Sequence, residues 1–302
     1  MKRFILSMLV LFIPFIAFSE NFTAIYTVGQ VYMKEGGSWL ELYPGDEISN
    51  NAVLKLEKGA QAEFSDDQVT ILVLKEGTYN FESLLKQAKE VKQAGAIPLI
   101  QNKLKSLARS AVSGPSAVGG VRAAEASDPG KDVTWFTEDA AQYLEDGKEL
   151  LGAGKFSEAV EMFEYGLDAA VTKSEEDEVR FYLAYTISQT GNYLSSLNQL
   201  NQIKLSPADY YYTDLYLLKG SLFLESSAFS EASDFLSTYV TGSSSGSPDT
   251  YQSILLMEGI AQLQQGNLVQ AKQKLTKAFE LATTSEAGAQ AKYYLDHALS
   301  AN

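Results

Sequence analysis

The chain has one histidine, His297, close to its end and flanked by Tyr293 and Tyr294 in a stretch of helical period. A histidine working as a general base needs a partner to orient it and a nucleophile to activate, and no such constellation accompanies it. There is no cysteine, which excludes thiol nucleophiles, thiolate metal sites and lipid attachment at a processed N-terminal cysteine. Asp66-Asp67 and "SEEDE" (174–178) bring carboxylates together but lack the alternating oxygen spacing and glycine of a calcium loop, so they read as a turn and a solvated helix start. No glycine-rich phosphate cradle with its lysine, zinc spacing or nucleophile elbow is present. The expectation is a non-enzymatic protein with no catalytic residues, metal or cofactor.

What remains is recognition by surfaces. Tyr32, Trp39 and Tyr43 lie close together in sequence and suit stacking on sugar rings, with a β-domain core as the competing use of the same aromatics. Charge narrows the partners. From Lys131 onward there are 24 acidic and 11 basic residues, a balance of −13, which leaves −1 for residues 1–130. An acidic half of this size argues against nucleic acid, because phosphate contacts need clustered cations.

The elements that would position these surfaces fall into two kinds. In the second half, "GKFSEAVEMF" at 154 returns as "GNYLSSLNQL" at 191, "SAFSEASDFL" at 227 and "GNLVQAKQKL" at 266, in steps of 37, 36 and 39 residues. A fixed period of this size marks stacked repeats. Each copy sits in a pair of amphipathic helical patterns. Small residues recur where paired helices would cross: Gly147, Ala184, Gly220 and Gly259 on the leading helices, Ala159, Ser196, Ala232 and Ala271 on the following ones. Phe156, Tyr193, Phe229 and Leu268, then Phe163, Leu200, Leu236 and Leu275, fill the space alongside. Close crossing at roughly 8–10 Å between axes requires this alternation of small and large. A last helix, "SEAGAQAKYYLDHALSAN", starts at a capping serine, Ser285, and would shield the open end.

These small and aromatic positions resemble the tetratricopeptide repeat (TPR), over about Phe136 to Phe279, with four repeats. The steps exceed the usual period of about 34 residues, and the proline that often closes each repeat is absent. The surplus lies in the links "VTKSEEDE", "LSPADYYY" and "TGSSSGSPDT". The resemblance implies an all-α superhelix whose leading helices line a concave groove. Carried over, that lining is Leu144, Lys148 and Leu151, then Phe181, Tyr185 and Gln189, then Leu217, Ser221 and Leu224, and finally Leu256, Ile260 and Leu263. So apolar a face suits an amphipathic helix or a greasy extended segment rather than a clamped carboxylate. Two alternatives stay open: these side chains are core, or the groove is covered by the chain's own 82–109 helices.

From Asn21 to about Phe81 the helical period gives way to short β-branched and aromatic runs punctuated by glycines, as in a small β sandwich, barrel or roll. The order "VGQV", "GGSWLELYPGDEI", "VLKLEKGAQAEFSDDQVTILV", with the Gly45-Asp46 turn and the strand beginning at Gly59, resembles the FecR-like domain of bacterial envelope proteins. "SAVGGVRAAEA" (116–126) is similar to the segment that follows such domains, with Ala123 in place of a second glycine. The expected fold class is therefore α+β in separate domains: signal peptide 1–19, FecR-like β domain 20–81, basic helical connector and flexible linker 82–133, and TPR domain 134–302. The connector carries Lys86, Lys89, Lys92, Lys103, Lys105 and Arg109, either a membrane-surface or nucleic-acid element or a solvated face answering the acidic repeats.

The start, "MKRFILSMLVLFIPFIAFSE", has a basic tip, an apolar run and Ala17-Phe18-Ser19, so cleavage after Ser19 and export are expected. The functional expectation is a periplasmic or envelope adaptor that binds envelope proteins or peptide segments through the groove. The alternatives are a cell-wall polysaccharide binder using the β domain, in contact with peptidoglycan, and a periplasmic carrier of an apolar ligand.

Overall fold

A computed structural model of the chain describes residues 22–66, 68–93, 99, 102–104, 139–239 and 248–298. The expected signal segment, the Lys105 and Arg109 cations and the linker through "SAVGGVRAAEA" lie outside the described residues. The N-terminal region is two four-stranded antiparallel sheets. Its strands are β1 (Phe22–Val28), β2 (Val31–Glu35), β3 (Ser38–Glu41), β4 (Glu47–Ile48), β5 (Val53–Leu56), β6 (Gln61–Ser65), β7 (Thr70–Val73) and β8 (Gly77–Asn80). One sheet runs β4-β1-β6-β7, the other β3-β2-β5-β8. Alternation sends Phe22, Ala24, Phe64 and Ile71 from the first and Val31, Leu54 and Leu56 from the second into a shared core.

Helix α1 (Phe81–Gln93) completes that core. Phe81 meets Phe22 and Phe64 edge-to-face, with ring centroids at 5.0 and 5.6 Å, and Leu85 and Ala88 follow one turn apart. The start of the expected connector is thus part of the β region's packing.

The helical region pairs α2 (Ala140–Gly152) with α3 (Phe156–Ala169), α4 (Lys173–Gln189) with α5 (Tyr193–Leu200), α6 (Tyr212–Glu225) with α7 (Phe229–Leu236), and α8 (Pro248–Gln264) with α9 (Leu268–Leu281). The small residues do what their spacing implies. A Cβ on Gly147 would stand 2.4 Å from the Phe163 ring, and one on Gly259 2.7 Å from Leu275 Cγ. On Gly220 it would stand 2.7 Å from Leu236 Cδ2. Ala159, Ser196, Ala232 and Ala271 are fully buried opposite, and Ser196 Oγ donates to the Ala184 carbonyl at 2.7 Å. Local signals set the ends: Thr172 and Glu175 form a capping box on α4. Ser285 caps α10 (Glu286–Tyr293), which covers the end of the stack with Ala287, Ala291 and Tyr294.

The β and helical regions keep separate cores, yet they meet. Leu72, Leu99 and Leu104 belong to the helical core, with Leu74 packed against it. Among the described residues no helix is long and apolar enough to cross a membrane.

The turns inside the helix pairs share one backbone requirement. Gly154, Gly191 and Gly266 have φ of 75°, 83° and 77°, and in the third pair Ser227 is held at 63°. Its hydroxyl is buried with no hydrogen-bond partner. A left-handed residue with a side chain costs about 1–2 kcal/mol, against roughly 0.5–1 kcal/mol of extra chain entropy for glycine. Ser227→Gly is therefore expected to stabilise the protein by up to about 1 kcal/mol, raising Tm by about 2–4 °C. A lower Tm for the glycine variant would remove this account of the turn.

Candidate functional site

The leading helices α2, α4, α6 and α8 carry the residues assigned to a groove, and the structure buries them. Leu217, Leu256 and Ile260 are core, as are Leu144, Leu151, Leu224, Phe181 and Tyr185, while Gln189 and Leu263 are half-buried. Phe181 stacks on Tyr211 with centroids 5.3 Å apart. Burial alone pushes the Tyr185 phenol up to about 12. Ser221 Oγ donates to Leu218 O at 2.8 Å. Lys148 lies over the Tyr182 ring at 4.6 Å and pairs with Glu145 and Glu178 at 3.1 and 3.5 Å. Burial works to lower its pKa, but Tyr182 and the two carboxylates hold it above the ordinary lysine value. These residues are consequently not an open lining. α6 and α8 are enclosed because each touches neighbouring helices on several sides, and what lies on the remaining side is the chain itself.

Among the described residues α1 reaches α6, and two further groups of residues lie on that side. The first is the helical residues Leu99 and Asn102–Leu104. Leu99 and Leu104 are buried members of the helical region's core. Leu104 roofs a cavity of about 20 Å³ lined by Ser188, Gln189, Tyr193, Leu218, Ser221, Leu222 and Glu225. Lys103 Nζ lies 3.2 Å from Asp249 Oδ2 and donates to Asp249 O at 3.1 Å and to Ser253 Oγ at 2.8 Å, both residues on α8.

The second is the outer face of the first sheet. Glu63 and Leu72 are cross-strand partners pointing away from the β core. Glu63 is 1% exposed, and its carboxylate accepts from the amides of Tyr193 and Leu194, both at 2.9 Å. It thereby caps α5, whose own Asn192 makes no side-chain cap. On β7, an edge strand, Leu72 N donates to Ser226 O at 2.9 Å, just past α6. Lys75 pairs with Glu231 at 3.1 Å and donates to Ser230 Oγ at 3.0 Å. Beside this joint opens a cleft of about 220 Å³ floored by Leu74, Leu194, Leu197 and Phe223 and rimmed by Gln61, Asn198 and Asn201. At its rim Lys219 donates to Asn201 at 2.6 Å and lies over Phe235 at 4.7 Å, and burial pulls it down to about 8.

The three aromatics assigned to sugars sit elsewhere. Tyr32 and Lys34 of β2 face Glu41 and Trp39 of β3 in register, so all four share the outward face of the second sheet. Trp39 is 40% and Tyr43 58% exposed, with Tyr43 Oη donating to Glu41 at 3.0 Å. Lys34 lies 5.9 Å from the Trp39 ring centroid, and Lys55 5.9 Å from that of Tyr32. They are surface residues, not β core.

His297 stacks on Tyr293 at 4.6 Å with Nδ1 3.0 Å from Tyr293 O. Asp66 Oδ1 accepts from the Gln68 and Val69 amides, as an aspartate in a turn does. Among the described residues no group of three or more metal-binding side chains converges. Asp214 stands on α6, and burial raises it to about 7. Comparison of the chain with protein-family models, curated proteins and solved structures gives no match.

Sequence reasoning missed Glu63, Leu72 and Lys75. The visible signal was "TILVL", an unbroken apolar run where a half-exposed strand would alternate.

Burial raises the pKa of Glu63, with the Leu194 and Tyr193 amides partly opposing it. A raised folded pKa favours folding below the unfolded value, about 4.3, and that contribution is lost as pH rises through the folded value. Glu63→Gln keeps an acceptor without the charge. Its stability should gain on the wild type as pH rises from about 4 to 7, measured by urea unfolding across that range. Glu63→Ala, which strands two amides, should cost about 2–4 kcal/mol. Parallel pH curves for wild type and Glu63→Gln would show that this carboxylate is not destabilised by burial.

Proposed function

We propose that the protein is a non-enzymatic adaptor, exported to the bacterial envelope, that binds helical segments of other proteins through the leading-helix face of a TPR-type superhelix. The reading is supported above all by what lies on that face: the helical residues Leu99 and Asn102–Leu104, with two buried leucines and a lysine bonded to α8. A surface that seats one amphipathic helix has the shape and chemistry to seat another. The repeat spacing, the small-residue crossings and the end-covering α10 accord with a TPR stack. The two-sheet β region with its Gly45-Asp46 turn accords with a FecR-like domain, here serving as a fixed platform, and the N-terminal basic-apolar segment with export.

A photo-cross-linking residue at Gln189, at the edge of the covered face, should yield a discrete adduct with an envelope protein in intact cells. The same residue at Lys272, on the far side of α9, should not. Equal adducts at both positions, or none at Gln189, would count against the adaptor reading.

A second reading is favoured by the outward cluster of Trp39, Tyr43 and Tyr32 with Lys34, Lys55 and Glu41 beside them. Aromatic faces flanked by polar groups suit a cell-wall glycan. Pelleting with purified peptidoglycan should then fall about tenfold in Trp39→Ala, each tenfold being about 1.4 kcal/mol. Undiminished pelleting in that variant, or none in the wild type, removes this reading.

A further inference from the structure

The edges of the two sheets are closed in different ways. On β7 the Leu72 amide is paired with Ser226 O, β4 has two residues, and β8 passes directly into α1. β3 differs: all four of its residues are exposed, with Trp39 at 40% and Leu40 at 47%. Its register shows which main-chain groups are already paired. Gly36 and Gly37, at φ of 56° and 92°, make a two-residue turn between β2 and β3. Glu35 and Ser38 flank that turn as a hydrogen-bonded pair, and such pairs alternate along an antiparallel ladder. Met33 with Leu40 is the next, and Val31 with Leu42 the one after, where Leu42 N donates to Val31 O at 2.8 Å. The amides and carbonyls of Trp39 and Glu41 therefore point away from β2. Among the described residues nothing pairs with them. Neither proline nor bulge blunts the strand.

We propose that β3 pairs with β3 of a second copy of this chain, antiparallel about a two-fold axis at Leu40, joining two four-stranded sheets into one. That register sets Trp39 opposite the partner's Glu41 and engages every open main-chain group of both residues. The edge is complementary to itself. On one face Leu40 meets its own copy, taking two half-exposed leucines out of water. On the other face Lys34 already lies 5.9 Å from the Trp39 ring centroid, on the side toward which the new strand would be added. The partner's Glu41 would stand two strands from Lys34, about 9–10 Å between main chains, and two long side chains of opposite charge close that gap over the indole. Among the described residues Lys34 has no carboxylate partner, and Glu41 accepts only from Tyr43 Oη at 3.0 Å. The pairing rests on neither reading of the function and engages no residue of the helical region.

The chain has no cysteine, so a single Leu40→Cys variant tests the register directly. Residues in a non-hydrogen-bonded pair have Cα atoms about 4.5 Å apart, within the disulfide span of about 4.4–6.8 Å. Under mild oxidation the full-length variant should become a disulfide-linked dimer. Thr78→Cys, on β8 at the far edge of the same sheet, should not. Sedimentation velocity over a concentration series should show the wild type dimerising. Trp39→Pro removes an outward amide and none that faces β2, and Glu41→Lys brings like charges together. Each should weaken the dimer about tenfold or more, and adding Lys34→Glu to Glu41→Lys should restore it. A wild type that stays monomeric, equal cross-linking of the two cysteine variants, or no recovery in the charge-reversed pair would overturn the proposal. So would a Leu40→Cys chain that, in cell extract, links to a foreign protein in preference to itself.

Discussion

The close crossing of helix backbones governs everything else in the helical region. With Gly259 against Leu275, Gly220 against Leu236 and Gly147 against Phe163, no methyl group fits between the pairs. Helices held that near must turn their large residues aside, so Phe163, Leu236 and Leu275 wedge beside each crossing and fix the offset between neighbours. The leading helices are then left in a row with one broad side uncovered. That side is rich in Leu, Ile and Tyr, and water is a poor solvent for it. Something must lie on it, and among the described residues the occupants include α1, β7 with its outward Leu72, and Leu99 and Leu104.

Much of this was legible in the residues. The period, the small positions and the capping serine Ser285 are local or strictly spaced signals, and the helices fall where those signals put them. The exposure of the leading-helix face was not legible, because exposure is a property of what packs on a helix and not of the helix. Leu217 and Leu256 look the same in a groove and in a core. The same holds for Trp39 and Tyr43, which suit a β core in sequence but fall on the outward face once β2 and β3 pair in register. Glu63 was hidden for the opposite reason. A lone glutamate in "AQAEF" reads as the polar side of a strand, and only the arrival of α5 makes it a cap for two amides.

The two covers differ in kind. The β7 joint combines a main-chain bond at the sheet edge, a buried carboxylate on a helix start and the buried Leu72. An edge strand whose amide is paired is closed to outside strands as well. Around Leu104 the described contacts are two buried leucines and a lysine paired with a mostly exposed aspartate, with no main-chain bond among them besides the one Lys103 Nζ makes to Asp249 O.

Among the described contacts, Glu63, Leu72 and Lys75 grip α5, Ser226 and α7, whereas Lys103 grips α8. Groups with few shared partners contribute nearly independently. The β region is therefore docked through contacts of its own: a buried carboxylate on the start of α5, a main-chain bond from the edge strand and the Lys75 pair on α7. These fix the sheet against helices whose spacing the glycine crossings already set, so the joint and the crossings together hold the leading helices in one shape.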